Sequence, residues 1–264
     1  MSNSVTWPDA AASADVAALR SAGPLTHCLT NVVAAPLSAN VLLALGAAPV
    51  MVENAEESAD FAGLAAGVLA NLGTLSAERD RALRSAAAGA KGAGTPWVLD
   101  PVAAGALPYR TNLAADLLAQ RPSILRGNAS EVLSLTGATD AAGKGVESTA
   151  GSGEAVTAAR EFAGQRGCVV AVSGEVDYVT DGGEVVEIPG GHPLMTRVTG
   201  VGCALGATMA ALLAVAPTPL RAATSASAAF AAAGERAARS SSGPGTFEPA
   251  FLDALHALGS EDRG

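Results

Sequence analysis

The chain has 264 residues, with 16 Lys and Arg against 25 Asp and Glu, a formal net charge of −9. A chain of this length buries a large core without disulfide or metal staples, and its acidic balance excludes the basic footprint of a nucleic-acid binder. The same charge repels anionic lipid headgroups. Its three cysteines, Cys28, Cys168 and Cys203, are odd in number and far apart in sequence. That argues against a disulfide framework or a zinc cluster and for a reducing, cytoplasmic setting. Met1 to Ala11 lacks the basic segment and apolar core of a signal peptide. Apolar stretches such as Pro36 to Val52 are interrupted by Ser, Asn, Gly and Pro, so they read as core elements and not membrane spans.

In chain order, helical spacing runs from Asp9 to Ala22 and stops at Gly23-Pro24. Leu25 to Val33 reads as a short strand and turn. Ala35 to Leu45 reads as a helix ended by Gly46. Short apolar runs then alternate with helical segments. The runs are Pro49–Val52, Gly67–Leu72, Trp97–Val102, Ser123–Leu125 and Cys168–Val172. The helical segments are Glu56–Ala66, Ser76–Gly89 with Ser76 as N-cap, Asn112–Gln120 and Gly153–Gln165. Val176–Thr180 and Glu184–Ile188 flank Asp181-Gly182-Gly183 as a hairpin. The C-terminal third is helical over Cys203–Val215, Pro219–Arg239 and Pro249–Leu258, with Gly243-Pro244-Gly245 separating the last two. Ala142–Glu154 reads as a surface loop near the ligand, and Ser240–Ser242 and Glu261–Gly264 as mobile. No repeat or long linker divides the chain, so 1–264 is read as one domain.

Apolar runs alternating with helices define an α/β fold with a largely parallel sheet buried on both faces. Right-handed crossovers bring the strand C-terminal ends to one edge, where open α/β sheets bind ligands. That edge carries Asp100, Arg126, Asn128 and Ser173.

The strongest local signal is Thr199-Gly200-Val201-Gly202-Cys203, a Gly-x-Gly turn opening into an apolar helix. Glycines let the backbone approach a ligand. The first helical turn of Gly200, Val201, Gly202 and Cys203 offers unpaired amides and a partial positive charge. Together these suit an anion such as a transferring phosphoryl group; a tight turn at a helix start explains the glycines equally well. No Gly-Lys-Ser/Thr follows, so this is not a Walker A loop. The helix dipole favours the thiolate of Cys203, which then accepts or orients a substrate proton; a small buried hydrophobe is the plainer reading. Asp100, ahead of Pro101, is either a Mg²⁺ carboxylate or a turn cap. Arg126 offers a fork of donors to phosphate. Asn128 and Glu131 have the spacing of a capping box, and Glu131 is also a carboxylate near the metal. Ser173 bonds a phosphate oxygen or simply closes a turn. Asn31 and Met51 line a small apolar pocket or, for Met51, pack the core. His27, His192 and His256 lack metal-ligand spacing.

Taken in order, these segments resemble the hydroxyethylthiazole kinase family of the ribokinase-like superfamily. The resemblance spans about Pro24 to Phe247. It is carried by Thr30-Asn31-Val32-Val33, Pro49-Val50-Met51, Asn71-Leu72-Gly73-Thr74-Leu75-Ser76, Leu99-Asp100-Pro101-Val102, Arg126-Gly127-Asn128-Ala129 with Glu131, Gly174-Glu175-Val176-Asp177, Gly191-His192, Val198 to Cys203 and Gly243-Pro244-Gly245. It implies a three-layer α/β/α sandwich and an enzyme of thiamine salvage that phosphorylates the hydroxyl of hydroxyethylthiazole with ATP and Mg²⁺. It also implies a homotrimer with active sites at its interfaces. By position, Met51 and Gly200, with Asn31, match thiazole-binding residues. Arg126 and Ser173 match ATP-binding residues, and Asp100 and Glu131 the magnesium region. Cys203 stands where most ribokinase-like enzymes have an aspartate base. Ala103 replaces an expected glycine and Ser173 an expected threonine. The rival expectations are a hydroxymethylpyrimidine kinase, an NAD(P)H-hydrate dehydratase, or a non-catalytic nucleotide sensor on the same fold.

Overall fold

The computed structural model describes residues 3–137 and 152–258. Nine strands form one sheet in the order β1-β9-β8-β7-β6-β5-β4-β2-β3. The parallel body comprises β2 (Leu25–Leu29), β3 (Ala48–Val50), β4 (Gly67–Asn71), β5 (Trp97–Asp100), β6 (Ile124–Asn128) and β7 (Val169–Ser173). The hairpin of β8 (Val176–Thr180) and β9 (Val185–Pro189) joins β7 antiparallel. A two-residue strand, β1 (Asn3–Ser4), pairs parallel with β9; two residues are too few to leave a periodicity in the sequence.

Successive strand residues face opposite layers. Leu69, Val98 and Ile124 join a core with α1 (Ala10–Ala22), α2 (Ala35–Leu45), α8 (Val201–Leu212), α9 (Pro219–Ser240) and α10 (Pro244–Leu258). Val68, Ala70, Leu99 and Leu125 join a second core with α3 (Ser58–Leu64), α4 (Ala77–Ala93), α5 (Pro108–Leu118), α6 (Ala129–Thr136) and α7 (Ser152–Arg166). The expected three-layer α/β/α sandwich is therefore the observed architecture. The alanines have a packing use: Ala222, Ala226, Ala229, Ala233 and Ala237 are all buried along α9, and such small side chains let a helix lie close to its neighbours.

Several boundaries agree closely with the expectations. Asp9 caps α1 through Ala11 and Ala12 N–H, Ser76 caps α4 through Arg79 N–H, and α2 ends at Gly46. Others differ for local reasons. α5 starts at Pro108, four residues before the expected Asn112, and α10 starts at Pro244 rather than Pro249. A proline at a first helical position loses no hydrogen bond and has the right φ. Pro249 lies inside α10, whose early turns are held by fully buried Phe247 stacked on Phe251 at 5.8 Å. Ser240–Ser242, expected to be mobile, are tied down: Ser241 Oγ donates to Ala237 O at 2.6 Å and Ser242 N–H to Thr246 Oγ1 at 2.9 Å. The expected loop at 142–154 lies almost wholly, and Glu261–Gly264 wholly, outside the described residues.

Candidate active site

Two features meet over the C-terminal edge of the sheet, an open cleft and a buried polar chain beneath its helix start. The cleft has a volume of about 890 Å³ and is bordered by Arg126, Ser173, Gly200, Val201 and Gly202. Its walls also include Val176 and Ile188 from the hairpin, Met195 from the 3₁₀ turn Pro193–Arg197, and Phe230 from α9. Five of the residues singled out in the sequence thus share one cavity. The apolar wall was not foreseen, because it is assembled from three segments distant in sequence.

Gly200 caps α8 with φ +92°, a left-handed conformation that favours glycine. The position of a side chain is crowded too: a Cβ there would lie 3.0 Å from Ala34 Cα. The first intrahelical bond is Ala204 N–H to Gly200 O at 2.8 Å, so helix geometry leaves the amides of Val201, Gly202 and Cys203 without an intrahelical acceptor. Gly202 lies against Arg126, whose Nη2 would be 2.9 Å from a Cβ at that position. The guanidinium is held from behind: Nη2 donates to Ser173 Oγ at 2.9 Å, and Nη1 is 3.5 Å from Asp100 Oδ2. Its charge thereby borders the helix start.

The polar chain runs from Asp100 to Cys203. Asp100 is fully buried; its Oδ2 accepts from Asn71 Nδ2 at 2.7 Å, and its Oδ1 has no protein partner. Asn71 Oδ1 accepts from Asn31 Nδ2 at 3.0 Å, and Asn31 Nδ2 also faces Cys203 Sγ at 3.2 Å. Glu131 completes the capping box with Asn128 and takes a further bond from Ala103 N–H at 2.9 Å. Ala103 has φ +63°, a conformation in which a glycine would be unstrained.

Burial pushes the Asp100 carboxyl up to about 6, with Arg126 opposing and Glu131 adding to the shift. Burial alone would lower the Arg126 guanidinium, but the charges of Asp100, Glu131 and Asp177 outweigh it and raise its pKa. Cys203 is more buried than a helix-start thiol considered alone. Burial, and next the Asp100 charge, raise its pKa, against hydrogen bonds from Asn31 and Asn71 and the Arg126 charge. Burial and the Asp100 charge thus work against the thiolate that the helix start favours.

The Asp100 shift has a testable consequence. The folded pKa lies above the ordinary carboxylate value of 3.8, so the folded protein holds the extra proton between the two values. The stability this contributes is complete below the lower value and is lost as pH rises through about 6. Urea unfolding from pH 4 to 8 is expected to show this loss in the wild type and not in Asp100→Asn.

Met51 is half-buried just after β3, packs against the α2 and α8 side of the core, and does not border the cleft of its own chain. Buried His27 fixes the neighbouring backbone through Nε2 and Val52 O at 2.8 Å. Asn71 was not singled out, although it ends an apolar run just as Asp100 and Arg126 do. Among the described residues no three His, Cys, Asp or Glu side chains cluster as a metal site, and no helix is long and apolar enough to cross a membrane.

A mostly parallel α/β/α sandwich with an anion-suited helix start over its strand ends is the architecture of the ribokinase-like kinases. The fold is shared with a ribokinase-like superfamily protein from Enterococcus faecalis, TM-score 0.64 at 15% identity, covering 93% of this chain and 89% of that one. The chain belongs to the hydroxyethylthiazole kinase family, whose model matches residues 16–261. A hydroxyethylthiazole kinase from Leptospira borgpetersenii is 51% identical over 255 residues, 97% of this chain and 96% of that protein. The solved structure of a hydroxyethylthiazole kinase from Pyrococcus horikoshii has a TM-score of 0.86 at 36% identity, covering 93% and 92% of the two chains.

Proposed function

We propose that the protein transfers the γ-phosphoryl group of ATP to the hydroxyl of hydroxyethylthiazole, a step of thiamine salvage. The observation that carries this reading is the placement of Arg126, Ser173 and the first residues of α8 on one cleft, with Cys203 next along the helix and in contact with Asn31. In this reading the nucleotide base lies against Val176, Ile188, Met195 and Phe230. Arg126 and Ser173 hold its phosphates. The amides of Gly200, Val201, Gly202 and Cys203 receive the charge that builds on the transferring group, where fixed donors act most strongly. Phosphoryl transfer needs mainly positioning and charge stabilisation. Cys203, kept as a thiol, orients the acceptor hydroxyl more than it removes its proton.

The residues fit a Mg²⁺ ion. Asp100 Oδ1 is an unpartnered carboxylate oxygen, and Glu131 is close enough to raise the pKa of Asp100. Mg²⁺ characteristically takes one or two carboxylates and fills its shell with water and phosphate oxygens. When bound, it neutralises phosphate charge. Arg126 beside Asp100 keeps the carboxylate pair from facing the phosphates without a cation.

The chain is read as a single kinase domain acting in the cytoplasm as a homotrimer with sites at the interfaces. The single sheet and the three free cysteines support the first two points. Val32 and Val33, 65% and 59% exposed immediately after Asn31, support an interface at the site. Met51 would then serve the thiazole ring of a neighbouring site.

ADP release over a substrate panel tests the reading. Release with hydroxyethylthiazole, and not with hydroxymethylpyrimidine or hydrated NAD(P)H, supports it, and the reverse pattern sinks it. Cys203→Ala is expected to lower turnover by only about tenfold, below the roughly 10²- to 10⁴-fold contributed by a proton-transferring group. Cys203→Asp should retain activity, with its pH optimum displaced upward because the new carboxylate adjoins Asp100. A loss as large as that of a main catalytic base in the Ala variant would show the thiol acting as one.

A further inference from the structure

We propose that Asn71 is a positioning residue for phosphoryl transfer: it fixes the orientation of the Asn31 amide and thereby which group meets the Cys203 sulfur. The proposal rests on the reading above that the acceptor hydroxyl lies at Cys203.

Asn71 ends β4 opposite Asp100 in the parallel register and is fully buried. Its amide is oriented from both ends. Gly73 N–H can only donate, and it lies 3.0 Å from Asn71 Oδ1. The Asp100 carboxylate, as the charged form, can only accept, and it lies 2.7 Å from Asn71 Nδ2. Reversing the amide would set donor against donor and acceptor against acceptor.

That choice propagates. Asn71 Oδ1 also requires a donor from Asn31, so the NH₂ of Asn31 faces it at 3.0 Å. The same NH₂ is 3.2 Å from Cys203 Sγ. The sulfur therefore receives a hydrogen bond, and its own S–H is left to point elsewhere. Asn31 Oδ1, on the residue that meets the sulfur, is buried without a protein partner. Gly73 keeps the arrangement closed: a Cβ there would lie 2.6 Å from both Cβ and Nδ2 of Asn31. An unpaired buried acceptor is costly, and this one is held in place by the same two bonds that set the Asn31 NH₂ against Asn71 and Cys203.

The test measures kcat, KM and the alkylation rate of Cys203 by iodoacetamide in Asn71→Ala, Gly73→Ala, Asn31→Ala and the Asn31→Ala/Asn71→Ala double variant. Cys28 and Cys168 are buried, so peptide mapping isolates Cys203. Asn71→Ala is expected to lower kcat by about 100-fold, the scale of a misplaced reacting group, with KM for ATP changed by less than about threefold. Its Cys203 alkylation rate should change several-fold, and Gly73→Ala, which removes no polar group, should reproduce both effects. The double variant should be no slower than Asn31→Ala, because both act on one element. Wild-type kcat and thiol reactivity in folded Asn71→Ala, or losses that multiply in the double variant, would overturn the proposal. If Asn71→Ala does not fold, Gly73→Ala decides by the same readouts. Absence of thiazole-dependent ADP in the wild type would instead reject the proposed function, while the alkylation rates still report the link from Asn71 to Cys203.

Discussion

Gly202→Ala is expected to lower turnover by about 10²- to 10³-fold in a protein that remains folded, the loss seen when an anion-stabilising donor is removed. The added methyl would stand 2.9 and 3.1 Å from the two Arg126 terminal nitrogens. A flexible arginine would swing away cheaply, but this one is bonded to Ser173 and paired with Asp100, with its side chain only 12% exposed. Yielding costs those contacts and moves the proposed phosphate-binding charge. The methyl also covers the amides that would face the transferring group. Stability is affected less, because alanine is favoured over glycine in a helix by about 1 kcal/mol, which offsets part of the clash. Steady-state kinetics and thermal unfolding of the same preparation separate the two effects.

Asp100→Asn should abolish most turnover, by about 10²-fold or more, while leaving stability near pH 7 equal to the wild type or higher. Both Asn71 and Arg126 approach the same oxygen, Oδ2, and Oδ1 is free. An asparagine can therefore place its carbonyl oxygen where Oδ2 was and keep both partners. What it loses is the charge and the open carboxylate oxygen. Since burial already disfavours that charge, as its raised pKa reflects, removing it relieves the folded state. Buried charges of this kind are weak evidence of stabilisation and better evidence of a task. Denaturant unfolding alongside ADP release checks this, and a large fall in stability without a fall in kcat would contradict it.

The fold was legible because the apolar runs ended in polar or turn residues and several helices began or ended on a capping residue. Asp9, Ser76 and Gly46 act as their sequence positions imply. The strand-end rule located Asp100, Arg126 and Ser173, which the structure joins through one guanidinium. The same rule applied to Asn71 finds it as well, although its neutral amide carries a weaker signal than the charged strand-end groups. Other features were hidden for physical reasons. The wall of Val176, Ile188, Met195 and Phe230 depends on how a hairpin, a 3₁₀ turn and a helix pack together, and no local spacing encodes that. The environment of the Cys203 thiol was hidden because the helix-start argument is local, whereas burial and the Asp100 charge that raise its pKa are tertiary. Glu131 forms the capping box that its spacing implies, and its charge also reaches Asp100.

The central claim is transfer of a phosphoryl group from ATP to the thiazole alcohol on the cleft beneath α8. Incubation with γ-phosphoryl-labelled ATP, Mg²⁺ and hydroxyethylthiazole, followed by isolation of the thiazole, tests it most directly. Label on the thiazole hydroxyl in stoichiometric amount with the ADP formed is the predicted result. Nucleotide binding with no label on the thiazole would contradict the account.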